Sequence, residues 1–225
     1  MKISGYEVKG NFFPDISTEH LLQYLNHFFS LKEFRDGQQK AIKSVLNGKD
    51  TLVLFPTGGG KSLTYQLTAA IQPDKTCIVI SPLISLMKDQ VDALGATGIP
   101  ATFLNSSQDE LDSMRSVSRI ITGKVRLVYI SPEKALSDYF LKIVSQIKVS
   151  LIAVDEAHCI SQWGHDFRQE YKNLSKLRDA CGKNIPVIAV TATATKRVIA
   201  DIQESLQMKD AVIVKRSFYR ENLSF

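Results

Sequence analysis

The chain has 225 residues, 44% of them hydrophobic, which is enough for the core of one large domain or two small ones. Its 28 basic and 23 acidic side chains give a net charge of +5, a mild excess that permits a phosphate-rich partner without requiring one. The longest apolar runs are strand-length, far below the ~18 residues needed to cross a bilayer, which argues against a membrane protein.

The N-terminal part of the chain predicts two helices. Residues 1–14 are expected to be frayed, and they lack the apolar stretch of a signal peptide. Asp15 and Ser17 are candidate N-caps for an amphipathic helix. A second helix is predicted over residues 38–47, with Gly48 at its end. The apolar positions of the first helix are Leu21, Leu22, Leu25 and Phe28.

From residue 51 onward, apolar runs of strand length alternate with segments of helical periodicity. The predicted strands are residues 51–55, 77–80, 101–104, 125–130, 151–154, 186–190 and 211–214. The apolar positions that share helix faces are Leu63, Leu67, Ala70 and Ile71; Leu83, Met87, Val91 and Leu94; Leu111, Met114 and Val117; and Val198, Ile202 and Leu206. Strands this apolar are buried on both faces, which is typical of a parallel sheet covered by helices. The sequence therefore predicts an α/β domain over residues 49–225, preceded by a helical extension over residues 1–48.

The three cysteines, Cys77, Cys159 and Cys181, are isolated from one another, and none belongs to a CxxC pair. They predict neither a disulfide framework nor a zinc site, which favours a reducing compartment. Cys159 is expected to be a small core residue. We therefore expect a soluble, intracellular protein.

The segment TLVLFPTGGGKS (residues 51–62) reads as a buried strand, a glycine-rich loop and the first turn of a helix. Glycine backbones and a helix N-terminus form a cradle for phosphate. Lys61 adds a cation, and Ser62 adds a hydroxyl for magnesium. Phe55 stands where the strict pattern has glycine, so the loop alone is also compatible with an ordinary turn. The candidate nucleotide-binding residues here are Thr57, Gly58, Gly59, Gly60, Lys61 and Ser62.

Polar segments follow six of the predicted strands at the point where each strand ends. Because the carboxyl ends of parallel strands meet at one sheet edge, these segments predict an extended ligand-binding face. They are GGGKS, SPL (residues 81–83), NSS (105–107), SPE (131–133), DEAH (155–158) and TATAT (191–195).

Asp155 and Glu156 directly follow a buried strand. A carboxylate at such a strand end, near a phosphate loop, is where the magnesium of a nucleoside triphosphate is held. The neighbouring carboxylate can orient or deprotonate the attacking water. An acidic pair at a helix N-terminus is the plain alternative. Together with the GKS loop, however, the pair predicts an ATPase-type site.

Taken together, these motifs resemble those of a known family. GGGKS, DEAH and TATAT resemble motifs I, II and III of superfamily 2 helicases, and FRDGQ (residues 34–38) resembles the adenine-recognising motif 0. SPLISLMKDQ (81–90) and DEAHCISQWGHDFR (155–168) resemble the RecQ family of DNA helicases. The resemblance covers residues 21–225. It implies a RecA-like P-loop NTPase domain, ATP and Mg²⁺ as cofactors, and a role in DNA repair and recombination in the bacterial cytoplasm or the eukaryotic nucleus.

The resemblance also implies roles for single residues. Gln38 would read the adenine edge, because a side-chain amide both donates and accepts, and Arg35 would pack near the base. Without the other motifs, Gln38 is an ordinary first-turn helix residue. The residues assigned to phosphate, magnesium and hydrolysis are Lys61, Ser62, Asp155 and Glu156, and those assigned to coupling of ATP to DNA are His158, Thr191 and Thr193. The alternatives are that His158 is a structural hydrogen-bonding residue and that the two threonines cap the next helix.

The family's aromatic-rich loop contains Trp163, Phe167 and Arg168, together with His165. Aromatic rings beside a cation suit stacking on bases and contact with phosphate. The alternative is that the tryptophan anchors the loop on the core. Ser81 and Asn105 fall on loops that contact the single-strand backbone in such helicases, and these contacts imply no sequence preference.

Three positions depart from common patterns. Ser30 stands where motif 0 usually has glycine, Gln169 replaces a proline, and Phe55 is unusual for phosphate loops but matches the bulky apolar residue of RecQ proteins. Residues 217–225 resemble the exit from the first RecA-like domain, and a second such domain is not in the sequence. The resemblance therefore implies one motor lobe of a DNA helicase, weakly active or inactive by itself. An RNA helicase or RNA-dependent ATPase, or a non-hydrolysing nucleotide-gated binding module, are the alternatives.

Overall fold

The computed structural model describes residues 16–164 and 166–216. Within these ranges one parallel sheet has the strand order β3-β4-β2-β5-β6-β1-β7. Its strands are β1 Thr51–Leu54, β2 Thr76–Ile80, β3 Ala101–Leu104, β4 Leu127–Ile130, β5 Val149–Val154, β6 Val187–Thr191 and β7 Val212–Lys215. All seven were predicted from apolar runs, and each observed boundary lies within two residues of the predicted one.

Helices cover both faces of this sheet. They are α1 Thr18–Phe29, α2 Gln38–Leu46, α3 Lys61–Ala70, α4 Ile84–Ala96, α5 Glu110–Ile121, α6 Pro132–Ala135, α7 Asp138–Val144, α8 Ser175–Cys181 and α9 Lys196–Ser205, with short 3₁₀ helices at Ala157–Ile160 and Gln169–Asn173. Every residue of β1, β2, β4, β5 and β6 is buried, so both sheet faces carry core. Within the described ranges, no helix combines the length and apolar character needed to cross a membrane.

Helix α1 begins as predicted at Ser17, whose hydroxyl accepts a hydrogen bond from the His20 amide (3.2 Å). The other candidate cap, Asp15, lies outside the described residues. The helix ends at Ser30, which has a left-handed backbone (φ 54°, ψ 28°). Glycine adopts this conformation without the steric cost borne by a side chain, which accounts for glycine at this position in motif 0.

The N-terminal helices position motif 0 against the phosphate loop. Leu21 and Leu25 of α1 and Ile42 of α2 are fully buried in a cluster that also contains Leu67 of α3. Helix α2 ends at Leu46, one residue earlier than predicted, and Gly48 follows it with φ 75°. Because α1 and α2 share this cluster with α3, the segment between them lies beside the loop where α3 begins.

Two predicted helix faces are only partly buried. In α5, Leu111 and Met114 are 65% and 61% exposed, and of the three predicted positions only Val117 is buried. Helix α5 follows β3, which is an edge strand, so it lies at the border of the sheet. Leu83 is also exposed, because it precedes α4 as the N-cap residue instead of lying on the helix face.

Candidate active site at the carboxyl edge of the sheet

The phosphate loop is formed between β1 and α3 as predicted. Gly60 precedes α3 with φ 75°, and a Cβ at this position would displace the side-chain amide of Gln38. The left-handed backbone favours glycine there, and its lack of a side chain leaves room for the Gln38 amide. Phe55 is fully buried, so the departure from the strict pattern places a ring in the core and not in the cradle. The Lys61 ammonium donates to the Phe55 carbonyl at 3.3 Å.

Motif 0 is hydrogen-bonded to this loop. The Gln38 side chain, only 2% exposed, accepts from the Arg35 amide (2.8 Å) and donates to the Gly60 carbonyl (3.0 Å). The Arg35 guanidinium donates to the Gly58 carbonyl. Gln38 is therefore more than an ordinary first-turn residue. Its amide keeps a second hydrogen and a second lone pair, so recognition of adenine stays a prediction that the geometry permits.

Asp155 directly follows β5 and lies beside the phosphate loop. Its carboxylate accepts from the Glu156 amide at 3.0 Å. Burial, assisted by the neighbouring Glu156 charge and opposed by Lys61, raises the pKa of Asp155 to about 6. With Ser62, Asp155 lines a cavity of about 330 Å³ that also contains Gly58, Gly60, Lys61 and Glu156. A carboxylate whose ionised form is disfavoured in this way is stabilised by any cation placed beside it.

Ser62 and Asp155 are the predicted magnesium ligands, and both line this cavity. Across residues 16–164 and 166–216, no group of three or more His, Cys, Asp or Glu side chains is arranged to hold an ion. Magnesium is commonly bound by one or two carboxylates together with substrate phosphate and water. Asp155 and Ser62 fit that pattern, whereas a zinc or structural calcium site needs more protein ligands.

Glu156 has a left-handed backbone (φ 47°, ψ 46°), which is uncommon for a residue with a side chain. Such strain is found at functional sites where the surrounding structure holds it in place. One carboxylate oxygen of Glu156 lies 3.3 Å from His158 Nδ1, and the same nitrogen lies 2.9 Å from the Thr191 hydroxyl. The structure therefore joins the predicted hydrolytic and coupling residues in one polar chain.

Neither Thr191 nor Thr193 caps the helix that follows. Thr191 is fully buried at the end of β6, and its hydroxyl donates to the Thr193 carbonyl at 3.4 Å. The N-cap of α9 is Thr195, which accepts from the Val198 amide at 3.3 Å. The capping alternative is therefore wrong for both residues.

The aromatic-rich loop lies at the surface. Trp163 is 61% exposed, so the alternative that it anchors the loop in the core is wrong. The Arg197 guanidinium lies 3.9 Å from the centroid of the Trp163 ring. Arg168 forms an ion pair with Asp166 (3.1 Å). His165, also predicted in this loop, is outside the described residues.

Other contacts hold the same loop. The Lys172 ammonium lies 5.1 Å from the centroid of the Phe167 ring. A Cβ added to Gly164 would lie 2.1 Å from the His158 carbonyl oxygen, so the loop returns onto the 3₁₀ helix at a distance that only glycine allows. Cys159, in that 3₁₀ helix, is buried as predicted.

Ser81 and Asn105 are buried, with 5% and 1% exposure. The Ser81 hydroxyl accepts from the Leu83 amide (3.3 Å), and the Asn105 side-chain oxygen Oδ1 accepts from the amide and hydroxyl of Ser107 (2.9 and 2.6 Å). Both side chains thus shape their loops. Their contact with nucleic acid stays a prediction, and Ser106 and Ser107 are the exposed neighbours.

Sequence reasoning missed a polar network that borders the cavity. The Gln66 amide donates to the Tyr129 hydroxyl (2.9 Å) and to the Gln90 side-chain oxygen (3.0 Å). This one side chain therefore links α3, β4 and α4. The sequence did contain a signal for its position near the site, because Gln66 lies four residues after Ser62 and therefore on the same face of the helix.

Replacement of Asp155 by asparagine is expected to stabilise the nucleotide-free, metal-free protein at neutral pH. The folded-state pKa of about 6 lies above the ordinary value of 3.8, so ionisation costs the folded state stability as pH rises from about 4 to about 6. A shift of this size corresponds to roughly 2–3 kcal/mol. Urea unfolding in the presence of a chelator, at several pH values, measures the difference in unfolding free energy between the variant and the wild type. A stabilisation that is equal at pH 4 and pH 7 would contradict this cause.

Comparison with known proteins identifies the family. The family model described as DEAD/DEAH box helicase matches residues 35–202. The chain belongs to the DEAD/DEAH box helicase family. This match spans the phosphate loop, Asp155 and Glu156, and the first seven residues of α9.

Individual relatives extend this result. The helicase domain is 46% identical over 204 residues to the ATP-dependent DNA helicase RecQ of Pasteurella multocida, covering 91% of this chain and 32% of that protein. It is also 46% identical over 202 residues to RecQ of Bacillus subtilis, covering 89% of this chain and 34% of that protein. The resemblance to RecQ helicases is thereby confirmed. The chain spans about a third of the length of these relatives.

A solved structure shows the same fold. The helicase MrfA bound to DNA matches the helicase domain with a TM-score of 0.67 and 18% identity, covering 91% of this chain and 30% of that chain. The prediction of a RecA-like α/β domain is confirmed by this likeness and by the parallel sheet.

Proposed function

We propose that this DEAD/DEAH box helicase domain is the nucleotide-binding motor lobe of an ATP-dependent DNA helicase of RecQ type. The observation that carries the proposal is the convergence of Gly60, Lys61, Ser62, Asp155 and Glu156 on one cavity at the carboxyl edge of the sheet. Groups that can bind phosphate, a magnesium ligand and a candidate base thus lie within one site. The identity to RecQ helicases supports the DNA-unwinding role of the longer protein.

The geometry suggests how the chain's own residues act. Gln38 and Arg35, already bonded to the phosphate loop, hold the base end of the nucleotide. Lys61 exchanges its bond with the Phe55 carbonyl for the outer phosphates. Bound magnesium, held by Ser62 and Asp155, would neutralise charge on the phosphates. Glu156 orients and deprotonates the attacking water, with His158 fixing its carboxylate.

We propose that nucleic acid binds at the exposed aromatic-rich loop. Trp163 offers a ring for base stacking, and Arg168 offers a cation for phosphate. Relatives named as DNA helicases favour DNA over RNA. A DNA substrate places the protein in the bacterial cytoplasm or the eukaryotic nucleus.

A second RecA-like lobe is proposed to complete the catalytic cleft. In comparable nucleoside triphosphatases, an arginine supplied from outside the phosphate loop is worth ~10³–10⁵ in rate. The 225-residue chain alone is therefore expected to bind nucleotide and to hydrolyse it slowly or not at all.

Lys61→Ala is expected to weaken Mg-ATP binding to this chain by about 10–100-fold, because it removes a charge-assisted hydrogen bond to phosphate. Titration with a fluorescent ATP analogue measures the affinity, and urea unfolding checks that stability is unchanged. Lys49→Ala is the matched control, since Lys49 is exposed beyond the end of α2. Equal affinity for the wild type and the Lys61 variant would contradict the proposed site.

A further inference from the structure

Trp163 is the only tryptophan of the chain, and its ring packs against a cation. One face carries the Arg197 guanidinium at 3.9 Å, while the side chain as a whole remains 61% exposed. A guanidinium over an indole face is a favourable electrostatic contact, which fixes the plane of the ring. With 61% of the residue exposed, ring surface remains accessible to a stacking partner.

Helix α9 holds the loop at a second point, one turn further on. Asp201 accepts a hydrogen bond from the Ser161 hydroxyl, and that hydroxyl in turn accepts from the Trp163 amide at 3.1 Å. Arg197 and Asp201 are four residues apart and therefore share one helix face. Helix α9 therefore holds both the backbone of Trp163, through Ser161, and its ring, through Arg197.

The same chain segment reaches the ATP site at its other end. Residues 191–197 run from the Thr191 hydroxyl, 2.9 Å from His158, to Arg197 on the indole ring. His158 in turn lies 3.3 Å from the Glu156 carboxylate. A displacement of the indole ring that moves Arg197 therefore acts on a short segment whose first residue contacts the hydrolytic site.

The loop meets α9 beside a polar cavity. This cavity of about 500 Å³ is lined by Trp163 and by residues of α9, and its lining is mostly polar or charged, including Gln162, Lys172, Ser175 and Glu204. Polar contacts such as those of Arg197 and Asp201 can be exchanged at low cost, unlike an interdigitated core.

We propose that Arg197 is a positioning residue: it holds Trp163 with one face open for a nucleic-acid base, and it transmits occupancy of that face to the ATP site through residues 191–197. This inference rests on the proposed function. It assigns to Arg197 a part in coupling that requires no contact between Arg197 and the nucleotide.

The test measures a coupling factor, which is the ratio of the dissociation constants for DNA without and with bound nucleotide. Binding of a fluorescently labelled oligothymidylate to this chain is measured with and without a non-hydrolysable ATP analogue and magnesium. Allosteric coupling of the usual size would change the dissociation constant by about 5–150-fold in the wild type. Arg197→Met is expected to bring this factor close to one, while affinity for the analogue without DNA changes by less than about twofold, since the contact is remote from phosphate.

Lys196→Met is the matched control, because it removes the same charge from the neighbouring, exposed position of α9. It is expected to keep the wild-type factor. A double-mutant cycle adds specificity: in a Trp163→Ala background, Arg197→Met should cause no further loss, because the arginine acts through the ring. Urea unfolding of each variant confirms that the comparison is made between folded proteins.

The outcomes separate the two claims. If wild type binds DNA and analogue but Arg197→Met retains the wild-type factor, or loses no more than Lys196→Met, the role of Arg197 is wrong and the proposed function stands. A wild-type factor of one also overturns the role of Arg197. If the wild type binds neither ligand, both claims fail. An additive double-mutant cycle contradicts transmission through Trp163.

Discussion

Glu156→Gln is expected to lower ATP turnover by about 10²–10⁴-fold, the usual contribution of a general base, while leaving nucleotide affinity within about twofold. The amide keeps the shape of the carboxylate but cannot take a proton from water. Turnover is measured on the longer protein in which the proposed second lobe completes the cleft. Affinity is measured on the 225-residue chain by titration with a fluorescent ATP analogue.

Glutamine is the informative replacement because of the backbone at this position. Glu156 has φ 47°, so glycine would relieve strain and change loop geometry as well as chemistry. Glutamine retains the strain and keeps an oxygen near His158. A loss of turnover then reports on the carboxylate itself.

Glu110→Gln is the matched control, since Glu110 is exposed in the first turn of α5 and takes no part in the site. Its turnover is expected to equal that of the wild type. If Glu156→Gln hydrolysed ATP at the wild-type rate, the role of Glu156 as the base would be wrong. A wild type without turnover would instead favour the non-hydrolysing, nucleotide-gated binding module. A parallel loss of affinity would instead indicate that Glu156 supports the fold of the loop.

The parallel sheet could be predicted because buried strands have a strong local pattern. Every residue of β5 is apolar or small, and turn residues bound it, so no long-range knowledge was needed. The position of the phosphate loop, of Asp155 and of Thr191 followed from the rule that strand ends meet at one edge. Local sequence and topology therefore located the site.

The fine structure of the site could not be predicted, because it depends on contacts between distant segments. The left-handed backbone of Glu156 has no signal in its own side chain, since the local sequence favours an ordinary helix start. The stacking of Arg197 on Trp163 joins residues 34 positions apart. Helical periodicity also could not show that Leu111 is exposed, because periodicity identifies a helix face but not what covers it.

At the opposite, amino-terminal edge of the sheet, Asp50→Ala is expected to destabilise the protein by about 3–5 kcal/mol, as when one partner of a buried ion pair is removed. The Asp50 carboxylate accepts from Arg178 at 2.9 and 3.0 Å and from the Val187 amide at 2.9 Å. The Asp50 and Arg178 side chains are only 7% and 12% exposed. Removal of the carboxylate leaves the buried guanidinium without its counter-ion and the Val187 amide without its acceptor.

Arg178 also donates to the Leu206 and Gln207 carbonyls (3.0 and 2.9 Å), so the ion pair connects β1, β6, α8 and the end of α9. Urea unfolding is the measurement. Asp92→Ala is the matched control, because the Lys88–Asp92 pair has the same 2.9 Å separation but 71% and 61% exposed side chains. It is expected to cost less than about 0.5 kcal/mol.

Two further results would discriminate between causes. If the loss arises from an uncompensated buried charge, Arg178→Met added to Asp50→Ala should restore part of the stability, because the remaining cation is then removed. A double variant less stable than either single variant would instead indicate that packing of the guanidinium stem dominates. Because this edge is remote from Lys61, folded Asp50→Ala should bind the ATP analogue as the wild type does, and lost affinity would show that the two edges are coupled.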